Sequence, residues 1–198
     1  MRAEALAEAT VATETVYRGR VFTLESLTVT LPDGNSATRD VVRHPGAAAV
    51  IAFDERDRVL VTNQWRTSLG RVSTEIPAGT LEVGEAPLAC ATREFEEETG
   101  LAAGPLEHVT SIVTCAGFCD ELLHIYRTHT VGVASGNHVA DHDEFIETAW
   151  VPFDELVDAV LSGLISDSKT AVAVLAERVR RTRSNPPTSA PTPAHPAP

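Results

Sequence analysis

Four glutamates, Glu94, Glu96, Glu97 and Glu98, crowd the end of a segment that reads as a helix, and this misplaced charge constrains the chain more than any other feature. Pro87 suits the first turn of a helix and Gly100 is the usual residue just past its end, so a helix is predicted from Pro87 to Thr99. The carboxylates then face its negative end. Each costs roughly 0.3–1 kcal/mol there when exposed, and the Glu94/Glu98 pair at i, i+4 adds a further ~0.2–0.5 kcal/mol. Glu94, Glu97 and Glu98 stand at i, i+3, i+4 and share one face, while Phe95 turns with Leu88 and Ala91 towards a core. Arg93 neutralises only part of this charge. Three carboxylates on one face suit a hard divalent cation, since magnesium takes oxygen ligands and keeps waters that leave room for phosphate oxygens. For the glutamate run taken alone, a merely solvated acidic face is the alternative.

The rest of the chain alternates strand and helix signals. Leu27, Val29 and Leu31 alternate with polar residues, Pro32-Asp33-Gly34-Asn35 supplies a turn, and 38–43 resumes the alternation, which predicts a hairpin. The stretch 47–53 is a continuous apolar run and 59–65 a second run after the polar turn 54–57, as in buried neighbouring strands. Further strands are expected at 109–114, 122–133 and 145–151, a polar loop at 134–144, and helices at 154–161 and 168–179. Residues 1–14, rich in Ala, Glu and Thr, read as a flexible arm. Beyond Ser184 the prolines at 186, 187, 191, 193, 196 and 198 read as a disordered Pro/Ala-rich tail. A chain of 198 residues fits one α/β domain.

Charge narrows the function classes. The formal net charge is -12, which opposes broad attachment to nucleic acid or anionic membrane. An anionic ligand therefore needs local cations, from an Arg cluster or a bound metal. No apolar stretch approaches the roughly 20 residues of a membrane span, and Glu4 and Glu8 stand where a signal peptide needs an apolar run, so a cytoplasmic location is expected. Cys90, Cys115 and Cys119 are an odd number at no disulfide-rich spacing and read as reduced thiols. A zinc site from Cys115, Cys119 and His124 lacks a second paired cluster and is set aside.

The glutamate run belongs to a longer pattern. Gly79, Glu85, Arg93, Glu94, Phe95, Glu97, Glu98, Gly100 and Leu101 fit G-x5-E-x7-R-E-U-x-E-E-x-G-U, with U a bulky apolar residue, at every position. At ordinary residue frequencies an accidental match is on the order of one in 10⁷. This stretch resembles the signature of the Nudix hydrolases. The resemblance implies a Nudix-type α/β/α sandwich with a mixed sheet over residues 46–183, preceded by an N-terminal antiparallel strand segment over 15–45. It implies that Glu94, Glu97 and Glu98 with the carbonyl of Ala78 bind Mg2+, or Mn2+, and that Glu85 and Arg93 support them. The reaction implied is hydrolysis of a nucleoside diphosphate linked to a second moiety, a small-molecule substrate.

Glu75-Ile76-Pro77-Ala78-Gly79 and Gln64-Trp65-Arg66 further resemble the ADP-ribose pyrophosphatase branch, as do the N-terminal strands, which in that branch are exchanged within a homodimer. Gly117-Phe118-Cys119-Asp120-Glu121 and the acidic stretch 141–147 add to the likeness. By that likeness Arg39, Arg66, Gly117 and Glu121 contact substrate, and the acidic loop supplies the catalytic base, Glu144 in preference to Asp143 or His142, beside Glu97. The chain departs from the branch at Ala116, where a proline is usual. Trp65 offers a surface for stacking on adenine, or else ends its strand in the core. The alternatives are hydrolysis of another diphosphate, such as a nucleotide sugar, a dinucleotide or an isoprenoid diphosphate, or a non-catalytic Nudix ligand-sensing module.

Overall fold

The computed structural model describes residues 3–134 and 145–184. An N-terminal antiparallel sheet runs in the order β1-β2-β3, with β1 at Ala9–Arg18, β2 at Thr23–Thr30 and β3 at Ser36–Arg43. Residues 9–14 are thus strand, contrary to the flexible arm their composition predicts. Thr10 pairs with Val29 and Thr15 with Glu25, so the backbone ladder to β2 holds them. Every β1 residue is exposed, and no apolar period marks the strand. The hairpin β2/β3 is as expected, with Leu31 and Gly34 closing its turn by a 2.9 Å hydrogen bond.

The main body holds two more extensive sheets. In one, β4 (Ala47–Ala52) lies between β7 (Ala78–Thr80) and β10 (Leu122–Thr128), with β9 (Glu107–Val113) beyond β10; β4 and β10 are parallel and the other pairs antiparallel, so the sheet is mixed. In the other, β5 (Arg58–Arg66) lies between β6 (Arg71–Glu75) and β12 (Ile146–Pro152). Helix α1 (Pro87–Thr99) agrees with its predicted bounds. α2 (Phe153–Leu161) and α3 (Ser168–Ser184) follow the last strand.

β4 shows why helices must lie on both sides. Its six residues are all buried, and successive side chains point to opposite faces. Ala47, Ala49 and Ile51 pack with Phe153, Leu156, Ala173 and Val174 of α2 and α3. Ala48, Val50 and Ala52 pack with Cys90, Ala91 and Phe95 of α1. This is the α/β/α sandwich. Phe95 is fully buried, which for a large apolar side chain is worth roughly 1.5–3 kcal/mol; it fixes the rotation of α1 and so the face its glutamates occupy.

Three expectations shift. The strand predicted over 122–133 breaks after β10, because Thr128 Oγ1 accepts the Thr130 N–H at 3.2 Å and turns the chain; β11 (Val131–Val133) then pairs with β8 (Leu101–Ala103). Trp65 is not core: it is 59% exposed, since the buried run of β5 ends before it. α3 runs five residues past its predicted end at 179, held where Arg181 bonds Asp57 at 2.7 and 2.8 Å and Glu177 at 2.8 Å. The predicted acidic loop and the Pro/Ala-rich tail lie mostly outside the described residues. Among the described residues no helix is long and apolar enough to cross a membrane.

Candidate active site

The site is assembled where α1 meets β7. α1 starts at Pro87 and stops at Gly100, whose φ of 68° lets its N–H turn back to the Glu96 carbonyl at 2.9 Å. With Phe95 and Ala91 turned inward, Glu94, Glu97 and Glu98 are carried to the β7 side. Glu98 Oε2 accepts the Ala78 N–H at 3.1 Å. The Glu94 carboxylate lies over Gly79 so closely that a Cβ there would stand 1.9 Å from its Cδ. Glycine is therefore required at 79 for closeness of approach rather than for a special dihedral.

Arg93 is the local counter-charge. Its Nε and Nη2 donate to Glu85 at 3.0 and 2.9 Å, and Nη2 also reaches the Thr80 carbonyl at 3.2 Å. Its Nη1 donates to Glu94 at 2.7 Å and to Glu97 at 2.9 Å. The bonds to Glu85, then those to Glu94 and Glu97, raise the guanidinium above its ordinary pKa against the opposing effect of burial. Glu85 is correspondingly lowered, chiefly by Arg93. One arginine thus ties the loop before α1 to the acidic face of the helix.

These groups open into a cavity of about 530 Å³. Glu94, Glu97, Glu98, Ala78 and Arg93 form one wall, and Arg66, Lys169, Glu121, Gln64 and Arg20 are also at its surface. Arg66 donates from Nε and Nη2 to the two oxygens of Glu75 at 2.9 and 2.7 Å, a fork on a carboxylate whose side chain is only 5% exposed. Burial opposes ionisation of Glu75, but Arg66 and Lys169 outweigh it and bring its pKa to about 2.

The donor set fits a hard cation by its chemistry, being all oxygen with a surplus of carboxylate. Among the described residues, no three His, Cys, Asp or Glu side chains already converge on one metal position. The reason is visible in the hydrogen bonds: Arg93 spans Glu94 and Glu97, and Glu98 turns to the Ala78 N–H, so like charges take the nearest donors and spread apart.

The structure therefore gathers Ala78, Glu94, Glu97, Glu98, Arg93, Arg66 and Glu121 around one cavity, with Glu85 behind Arg93. It does not bring Arg39 or Gly117 there. They line another cavity, of about 400 Å³, between the N-terminal sheet and the 115–120 turn, where Arg39 donates to Glu8 at 2.6 and 3.1 Å. Glu144, with Asp143 and His142, lies outside the described residues. Sequence reasoning passed over Arg20 and Lys169. Arg20 sits in the link between β1 and β2 with no signal in its neighbourhood. Lys169 did carry one, being a cation in the first turn of a helix, the end whose dipole opposes it.

Carboxylates grouped on one helix face line the same cavity as Arg66 and Lys169, an arrangement suited to an anionic ligand held with a divalent cation. The NUDIX domain matches residues 42–175, and the chain belongs to the Nudix family as a pyrophosphohydrolase. It is 39% identical over 171 residues to an ADP-ribose pyrophosphatase of Bacillus subtilis, covering 86% of this chain and 92% of that one. It is 40% identical over 167 residues to a methanol dehydrogenase activator of Bacillus methanolicus, covering 84% and 90%. In fold it resembles a crystal structure of an ADP compounds hydrolase, with a TM-score of 0.77 at 18% identity over 90% of this chain and 96% of that chain.

Proposed function

We propose that this chain hydrolyses ADP-ribose to AMP and ribose 5-phosphate with Mg2+, or Mn2+, held by Glu94, Glu97, Glu98 and the Ala78 carbonyl. The observation that carries the reading is the pairing of that acidic face with Arg66 across one cavity, supported by a relative named ADP-ribose pyrophosphatase at 39% identity. A divalent cation supplies charge withdrawal from the diphosphate and a more acidic bound water. The protein's own groups do the rest. Arg66 grips phosphate with the guanidinium edge that Glu75 leaves open, since a planar fork suits phosphate oxygens. Arg93 and Glu85 hold the acidic helix face in register. Glu144 takes the proton from the attacking water, whose oxygen joins one phosphorus as the bridging P–O bond breaks and the other phosphate leaves. Three cysteines without a disulfide fit the cytoplasm as its compartment.

Ala116 favours keeping a second substrate in view, a different nucleoside diphosphate derivative or another diphosphate. A panel of ADP-ribose, nucleotide sugars, dinucleotides and isoprenoid diphosphates with Mg2+, read by phosphate release after phosphatase coupling, decides between them. ADP-ribose is expected to turn over fastest. If it is cleaved far more slowly than another member, the ADP-ribose assignment fails and the faster compound takes its place.

We also propose a homodimer in which residues 15–43 reach the partner. Val11, Val16 and Tyr17 of β1 are exposed in the single chain, and Arg39 stands in a cavity apart from the acidic face, as a residue lent to a neighbour's site would. Light scattering at micromolar concentration is expected to give the mass of two chains, and deletion of residues 1–43 to give monomers that bind substrate weakly. A monomeric intact chain rules out the shared site.

A further inference from the structure

Lys169 is 8% exposed yet lines the cavity. Two acids answer it: Nζ donates to Glu75 Oε2 and, at 3.0 Å, to Asp167 Oδ1. Asp167 is itself fixed as the cap of α3, where its Oδ2 accepts from the Thr170 N–H at 2.9 Å and from Thr170 Oγ1 at 2.6 Å. The Thr170 hydroxyl oxygen in turn accepts the Ile76 N–H at 2.9 Å. The first turn of α3 therefore grips Glu75 and Ile76, the residues that lead into Ala78.

Glu75 is shared between two cations. Arg66 occupies both of its oxygens, and Lys169 holds Oε2 from the α3 side. With Arg66 alone, a carboxylate on a rotatable side chain would move with the guanidinium it is meant to hold. Anchored by Lys169 to a capped helix, it becomes a fixed post, and the arginine is presented to the cavity in one orientation. Lys169 commits two of its three N–H groups to Glu75 and Asp167.

We propose that Lys169 is a positioning residue, which by anchoring Glu75 fixes the Arg66 guanidinium where it receives the substrate's phosphates. The proposal rests on the reading that Arg66 contacts substrate. Because Arg66 would hold phosphate in ground and transition states alike, its misplacement appears mainly in KM.

The test is steady-state kinetics of the full chain with saturating Mg2+ and whichever diphosphate turns over fastest. Lys169→Met is expected to raise KM about tenfold, as for one weakened charge-assisted contact, with kcat changed less than about twofold. Lys169→Arg should restore KM. Glu75→Gln should raise KM similarly, and Lys169→Met should add little in that background, because both act through one contact. A purely structural role would lower thermal stability without this selective, non-additive rise in KM. Unchanged KM in Lys169→Met, when Arg66→Ala raises it, overturns the proposal and leaves the role of Arg66 standing. Unchanged KM in Arg66→Ala overturns both. If Lys169→Met does not fold, Glu75→Gln decides alone, and an unchanged KM there overturns the proposal.

Discussion

Glu97→Gln and Glu98→Gln each lower turnover by at least about a hundredfold, because metal and electrostatic contributions to a transition state are commonly worth several kcal/mol. The fold should survive both changes. Glutamine keeps an oxygen that accepts the Ala78 N–H in place of Glu98 Oε2, and at 97 it keeps an acceptor for Arg93 Nη1. What is lost is the negative charge that the proposed cation requires. Excess EDTA should abolish activity and added Mg2+ restore it; full turnover in EDTA would sink metal dependence. In the same assay Glu144→Gln should lower kcat far more than it changes KM, since a base acts mainly in the transition state. His142→Ala should do much less, and the reverse ranking would move the base to His142.

The acidic face and the sandwich around it were legible because both leave periodic or misplaced residues in the sequence. α1 keeps its predicted bounds, with Pro87 and Gly100 as local signals and Phe95 as the core contact. β4 reads as a continuous apolar run because both of its faces are covered. β1 left no such trace. Apart from a ring contact between Tyr17 and Phe22, its recorded contacts on one chain are the backbone ladder to β2, which any sequence of β-tolerant residues can make, and its residues stay exposed. The place of Arg39 was also hidden. Sequence likeness assigned it to the substrate site, but within one chain β3 carries it to Glu8 and the 115–120 turn instead. Lys169 is the instructive omission. A lysine at the positive end of α3 is as misplaced as the acids at the negative end of α1, and partners of the other charge meet both, Glu75 and Asp167 for Lys169 and Arg93 for the glutamates.

Gly79→Ala should cost activity far more than stability. Gly79 pairs with Ala48 across β4 and β7, and its φ is not in the left-handed region, so alanine meets no backbone strain. Its Cβ, however, would lie 1.9 Å from Glu94 Cδ and 2.1 and 2.2 Å from the two carboxylate oxygens. The carboxylate must leave. It sits at the end of a flexible side chain and can do so without disturbing the core, so the melting temperature should fall by only a few degrees, about what a loss of 1 kcal/mol produces in a domain of this size. The displaced group is one of the three α1 carboxylates that line the cavity, and it also gives up its 2.7 Å bond to Arg93. A misplacement of about 1 Å at a reacting centre can cost ~100-fold, so turnover should fall by that order. If displacement of Glu94 is the whole cause, Gly79→Ala adds little to Glu94→Gln, because the two changes act through the same carboxylate. Wild-type turnover in Gly79→Ala would mean that Glu94 is not needed where it lies, and an additive loss in the double variant would place the damage in β7 itself, at the Ala78 carbonyl.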